Sequence, residues 1–174
     1  MKTTLILLLA QACLGAFDTI WFHECKLRLP QSAAAKKELR LHAYRHFIYA
    51  VVFGSLAWAT YNGWYAWILC GLLAVEIAVT IQDFIEEDRS RQVPAGERVM
   101  HALMGIVYGA ILTSLLPQII RWSALATGFG QSSYGAMSRL LTGLAIGVGL
   151  SGLRDLLAAT RRPQQRGSLE AKSV

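Results

Sequence analysis

The sequence predicts an all-α integral membrane protein, a bundle of about five transmembrane helices, and three observations carry that reading. Apolar residues make up 54% of the chain and charged residues only 16%, with a mean hydropathy of +0.39, whereas soluble domains carry more charge. The apolar residues fall in long blocks and not in amphipathic stripes, and blocks near 18 residues are long enough to cross a bilayer. Third, the basic residues gather on one side of the arrangement those blocks imply.

The blocks are Leu5 to Phe22, Phe47 to Tyr61, Trp64 to Ile85, Val99 to Leu116 and Ala136 to Leu153. The second is short alone and reaches spanning length only if its helix begins before the membrane. Sorted by these spans, Lys26, Arg28, Lys36, Lys37, Arg40 and Arg45 fall in the first loop. Arg89, Arg91 and Arg98 fall in the third, and Arg154, Arg161, Arg162, Arg166 and Lys172 at the end of the last span and in the tail. Only Lys2, Arg121 and Arg139 lie opposite. The positive-inside rule then puts the N-terminus outside and the C-terminus in the cytoplasm. Although the net charge is +6, this clustering speaks against a nucleic-acid surface, and a bacterial inner (cytoplasmic) membrane is the expected location. Residues 1–160 form one transmembrane domain, and 161–174 a basic tail expected to be disordered and held at anionic headgroups.

Taken in order, the first span ends in Asp18-Thr19-Ile20-Trp21-Phe22-His23-Glu24. It is read as a retained span and not a signal peptide, because the apolar run continues to Phe22. The aromatics suit the headgroup level, which leaves His23 at the inner interface and Asp18 deeper, in need of a partner such as Arg45 or Arg98. Pro30-Gln31-Ser32 precedes a helix expected from Ala33 to Tyr61 with Ser32 as its cap. Leu39, His42, His46, Tyr49 and Phe53 form one stripe of that helix, and His42 and His46, one turn apart, would point at one spot.

Tyr61-Asn62-Gly63-Trp64 reads as a tight outer turn within an aromatic belt. The third span carries Glu76, Thr80, Asp83 and Glu87 on one face; Glu86, Asp88, Arg89 and Arg91 are assigned to the solvated loop beyond it. Pro94-Ala95-Gly96-Glu97 starts the fourth span, which carries His101 and Tyr108 and which Pro117 should close. Gly105 and Gly109 would admit a neighbouring helix, and residues 118–135 make an outer segment. The fifth span shows Gly143, Gly147 and Ser151 on one face and reads as a packing or homodimerisation helix, not a contributor to a site. Cys13, Cys25 and Cys70 show no metal-type spacing and read as small hydrophobes.

The depth register brings His23, His42, His46, Asp83, Glu87 and His101 to one level near the inner surface. Imidazoles with bridging carboxylates are what two metal ions require, iron first, with zinc or haem as alternatives. Glu76 would be a deeper ligand or proton relay, and Tyr49 and Tyr108 would supply supporting hydrogen bonds. The set only loosely resembles the histidine-box membrane desaturases and hydroxylases, which have more histidines in differently spaced boxes, and no family follows from it. The function expected is a membrane-embedded di-iron hydroxylase, desaturase or oxidase for a lipid-like small molecule entering from the bilayer, fed by a cytoplasmic reductase. Its rivals are an intramembrane zinc hydrolase, a haem-binding electron carrier and a non-catalytic accessory subunit. Metal or proton transport is weaker, because nothing ionisable continues to the outer side.

Overall fold

The structure, a computed structural model, describes residues 1–32 and 34–161. Ala33 and the tail from Arg162 onward lie outside the described residues. The described residues form five long helices: α1 (Lys2–Phe17), α2 (Lys36–Leu56), α3 (Tyr65–Ser90), α4 (Ala95–Ser123) and α5 (Ala136–Thr160). α1 continues without a break into a π-helical segment, Asp18–Lys26. Four of these helices, α1 with its π-helical extension, α3, α4 and α5, are long and apolar enough to cross a membrane. Their outward faces are apolar as well: Ile68 is 60% exposed, Ile106 70% and Leu150 63%. A helix that is hydrophobic all round suits a bilayer better than water.

α2 is the exception, because its first half carries Lys36, Lys37, Glu38, Arg40 and Arg45. It is also shorter than expected. It begins at Lys36 with no side-chain cap, so Ser32 does not cap it, and it ends at Leu56. The residues after it form a strand, β1 (Ala59–Asn62), paired antiparallel with β2 (Gly128–Gln131), Ala59 opposite Gln131 and Asn62 opposite Gly128. This small ribbon is a minor addition to a chain whose described residues are otherwise all-helical, as expected. It takes up part of the segment read as an outer loop, and Pro117 does not end α4, which continues to Ser123. Gly63 makes the turn from ribbon to α3 at φ +59°, where a Cβ would fall 2.3 Å from Thr127 Oγ1. Left-handed backbone at close quarters requires glycine.

The core at the ribbon end is Leu5, Leu8, Phe53, Leu56, Leu69, Ile111 and Leu115 with their neighbours. α2 and α5 make the most extensive interhelical contact, and small residues explain it. Gly54 meets Ala145 and Gly149 meets Ala50, each with 3.6 Å from an ideal Cβ, while a Cβ on Gly152 would lie 3.2 Å from Ala43 O and 2.9 Å from His46 Cβ. Close backbone approach through small residues is the usual device of apolar helix pairs. The packing face of α5 is therefore Ala145, Gly149 and Gly152. A Cβ on Gly143 or Gly147 meets nothing within 4 Å, and the same holds for Gly105 and Gly109. Those four do not mediate the contacts their spacing suggested.

Candidate metal centre

Opposite the ribbon, the helix ends deliver acidic and imidazole side chains to one buried layer. The π-helical segment contributes Asp18 and His23. Five positions apart, they would point about 140° away from each other on an α-helix, but the wider i→i+5 winding turns both inward, with His23 Nε2 3.4 Å from Asp18 Oδ2. α2 contributes Glu38 and His42, α3 Asp83 and Glu87, and α4 Glu97 and His101. All eight are at most 8% exposed.

Their contacts interlock. His23 Nε2 lies 3.2 Å from Glu97 Oε1, and its ring stacks on that of His42 with centroids 4.5 Å apart. His42 Nε2 is 3.1 Å from Asp83 Oδ2 and 3.5 Å from Glu87 Oε1. His101 Nδ1 is 3.4 Å from Glu87 Oε2, and its Nε2 is 3.5 Å from Asp18 Oδ2. Two ligand sets result, His23 with Glu87, Glu97 and His101, and Glu38 with His42 and Glu87; within each, one donor atom per residue lies within 4.8 Å of the others. Glu87 belongs to both.

Two guanidinium groups enter this layer. Arg91 donates to both oxygens of Glu38 and both of Glu97 at 2.7–3.2 Å. Burial lowers its pKa, but the hydrogen bonds with Glu97 and Glu38 outweigh that and raise it above the ordinary arginine value. Arg45 donates to Asp83 at 2.6 Å and lies over the Phe84 ring. Asp18, Glu38, Asp83, Glu87 and Glu97, if ionised, exceed these two cations by three negative charges. Moreover His42 Nδ1 and one oxygen each of Asp18 and Asp83 are buried with neither a hydrogen bond nor an ion pair among the described residues. Each unsatisfied group costs about 1–3 kcal/mol or more. Lone-pair donors in excess, with excess negative charge, fit divalent cations, and the nitrogen and oxygen donor set suits iron, manganese or zinc.

Of the six residues expected to bind metal, the structure brings His23, His42, Glu87 and His101 into the two sets. Asp83 sits beside them, held by Arg45 and facing His42, where it can orient that imidazole. His46 lies outside both sets. One turn from His42, it turns toward α5, with Nδ1 3.2 Å from Asp155 Oδ2, because Gly152 lets α5 approach at that level. α5 is thus not a bystander: Asp155 is 1% exposed and also accepts from Arg154. Asp18 pairs with imidazoles, and neither Arg45 nor Arg98 reaches it. Glu76, Tyr49 and Tyr108 line a smaller cavity of about 120 Å³ deeper in the bundle. There Glu76 accepts from Thr80 at 2.8 Å and lies 3.9 Å from Arg45 Nε, and the Tyr108 hydroxyl donates to Leu73 O.

Glu38, Glu97 and Arg91 are the residues the sequence reading missed. Their signal was present: Glu38 precedes His42 by four, Glu97 precedes His101 by four, and Arg91 follows Glu87 by four, so each shares a helix face or its extension with a ligand.

A cavity of about 510 Å³ opens beside the layer, between α1 and α5, and its floor includes Asp18, His23 and His42. Comparison of the chain with protein-family models, with curated proteins and with solved structures finds no match.

Proposed function

We propose that this protein is an integral membrane oxidoreductase that holds two metal ions, iron in the first instance, in the layer formed by Asp18, His23, Glu38, His42, Asp83, Glu87, Glu97 and His101. The observation that carries the reading is Glu87, a buried carboxylate common to two adjoining ligand sets, as a bridging ligand must be. In this reading all five helices cross the bilayer, α2 with its charged first half at the cytoplasmic surface, the N-terminus is outside and the C-terminus inside. The sidedness of the lysines and arginines supports that orientation, and a bacterial inner membrane is the setting proposed.

The reaction class is oxygen-dependent hydroxylation or a related oxidation of a lipid-like substrate. In hydroxylation a C–H bond is replaced by C–OH, one oxygen atom of dioxygen enters the product and the other leaves as water. Two electrons and two protons are consumed, and a cytoplasmic reductase would supply the electrons. Carboxylates and imidazoles fit iron in this role, while the cavity between α1 and α5 gives apolar molecules a route from the side. Haem is disfavoured, because His23 and His42 stack face to face and do not flank a porphyrin. Metal analysis of purified protein tests the proposal: about two metals per chain, with iron giving a visible or EPR signal, is the expected result. Zinc alone would point to hydrolysis, and metal-free protein would leave a buried charge cluster of a non-catalytic subunit.

A further inference from the structure

The cavity beside the metal layer has the shape and chemistry of a binding site for one molecule of stated kind. Its walls are Ala12 and Gly15 of α1 and Gly143, Leu144, Gly147 and Val148 of α5. Side chains are missing there for a reason: a Cβ on Gly15, Gly143 or Gly147 would meet nothing within 4 Å, so the glycines keep a slot open and hold no helices together. From Gly143 to Arg154 the slot runs roughly 16 Å along the helix axis. At its edges Ile20 and Leu150 are exposed, 58% and 63%, on the apolar outer surface, so the opening is sideways, where hydrocarbon is the solvent.

Polar groups punctuate this slot. Gln11 lines it and is 4% exposed, yet its Oε1 has no hydrogen-bond partner among the described residues. His46 lines it too. Its Nδ1 is turned to Asp155, which leaves Nε2, without a hydrogen bond among the described residues, as the free nitrogen of this lining side chain. The ionisable groups that line this end, Asp18 and Glu24 against Arg45 and Arg154, balance in sign, and both arginines are already engaged, Arg45 by Asp83 and Arg154 by Glu24 and Asp155. A carboxylate or phosphate head would find no unpaired cation there.

We propose that the cavity binds a single-chain amphiphile with an uncharged hydroxyl head, of the long-chain alcohol class. Its alkyl chain lies between α1 and α5 and its hydroxyl donates to His46 Nε2, the acceptor nitrogen left when Nδ1–H faces Asp155. This deepens the proposed function by naming its substrate class. It places the head-proximal carbons, not the middle of the chain, next to His23 and His42. His46 is then a substrate-binding residue oriented by Asp155, not a metal ligand.

The test is photo-crosslinking of the full chain in detergent with a long-chain alcohol bearing a diazirine near its head, with metal content measured on the same samples. Label should fall on α1 and α5. Gly147→Phe and Gly143→Leu, which fill the slot, should lower labelling at least about tenfold at unchanged metal content and thermal stability, and Ile106→Phe, on the outer face of α4, should not. His46→Leu should weaken labelling, His46→Gln should restore part of it, and both should keep the metal. Unlabelled alcohol should compete, while the fatty acid and alkyl phosphate of equal chain length should not. Labelling that is insensitive to both slot-filling variants, or that falls on other helices, overturns the site. Equal competition by the anionic amphiphiles overturns the head assignment. Slot-dependent labelling of a metal-free wild type would keep the site and remove the oxidoreductase; metal without slot-dependent labelling would do the reverse.

Discussion

Glu87→Gln separates a metal centre from a self-satisfied charge cluster by the sign of its effect. Glutamine is nearly isosteric and removes one negative charge. Donor oxygens of Glu87 lie within 4.8 Å of those of Glu97 in one set and of Glu38 in the other. At that separation two carboxylates repel by about 3.5 kcal/mol for an effective dielectric near 20. In a cluster without metal, Arg91 offsets part of this, 3.8 Å from Glu87 Oε1 but hydrogen-bonded to Glu38 and Glu97. Glutamine would then relieve repulsion, and the variant should be as stable as wild type or more so. In a metal centre the same oxygens are attracted to cations, and the substitution removes the shared ligand. Losing even a residue behind the ligands costs about 10–100-fold in metal affinity, so losing this one should cost at least about 100-fold, or ~2.7 kcal/mol. Metal analysis and thermal unfolding, each with and without chelator, give the answer. The variant should retain at most one metal per chain and unfold at lower temperature, and chelator should bring wild type down towards it. A variant that melts higher than wild type with unchanged metal content refutes the reasoning.

Arg91→Met should destabilise by about 3–5 kcal/mol, because it strands Glu38 and Glu97, both 0% exposed, without their cation; a thermal scan unchanged from wild type would remove Arg91 from the structural account. The raised pKa of Arg91 fixes the pH behaviour of its contribution: that stability is fully present below the ordinary arginine value and falls away as pH rises from there through the raised one, so a rise from pH 6 to 9 should leave the gap between wild type and Arg91→Met unchanged. Gly152→Leu should disrupt the α2–α5 contact, at about 1–3 kcal/mol or more, whereas Gly143→Leu, on the open face of the same helix, should be nearly neutral, and equal melting temperatures would contradict the assignment of faces on α5. Gly63→Ala should cost about 1–3 kcal/mol through its left-handed backbone and the clash at Thr127, measurable by the same scan. With Cys13 and Cys70 replaced by serine, exposed Cys25 should react with a membrane-impermeant thiol reagent only from the cytoplasmic side; labelling from outside reverses the proposed orientation.

Helix number was legible because hydrophobic block length is a strong and local signal. So were the buried faces of α2 and α3, where His42 and Phe53 and then Glu76, Asp83 and Glu87 recur at helical spacing. The ribbon was not legible, since β1 and β2 are four residues each and owe their form to pairing across 66 residues of chain. The partner of Asp18 was hidden by the π-helical winding, which no spacing argument based on 3.6 residues per turn can foresee. His46 shows a different failure. Spacing placed it on the stripe of His42, but which neighbour a side chain meets depends on how near each helix comes, and Gly152 decides that.

These particulars bear on how the layer is built. A bundle of apolar helices has little to gain from burying eight ionisable groups, because desolvating each charge is costly. The chain nevertheless supplies them in repeated pairs four residues apart, Glu38 with His42, Asp83 with Glu87 and Glu97 with His101, and adds Asp18 and His23 by rewinding the end of α1. Every one of these elements meets the layer at a helix end, close to the loops, where Arg91 reaches in from outside the helices. The cavity instead approaches from the apolar side, through the slot that glycines keep clear. In the proposed reading ions reach the layer from the loop side and hydrocarbon through the slot, the two meeting at His23 and His42; a charge cluster that served folding alone would need partners for its charges but would have no use for a slot leading to them.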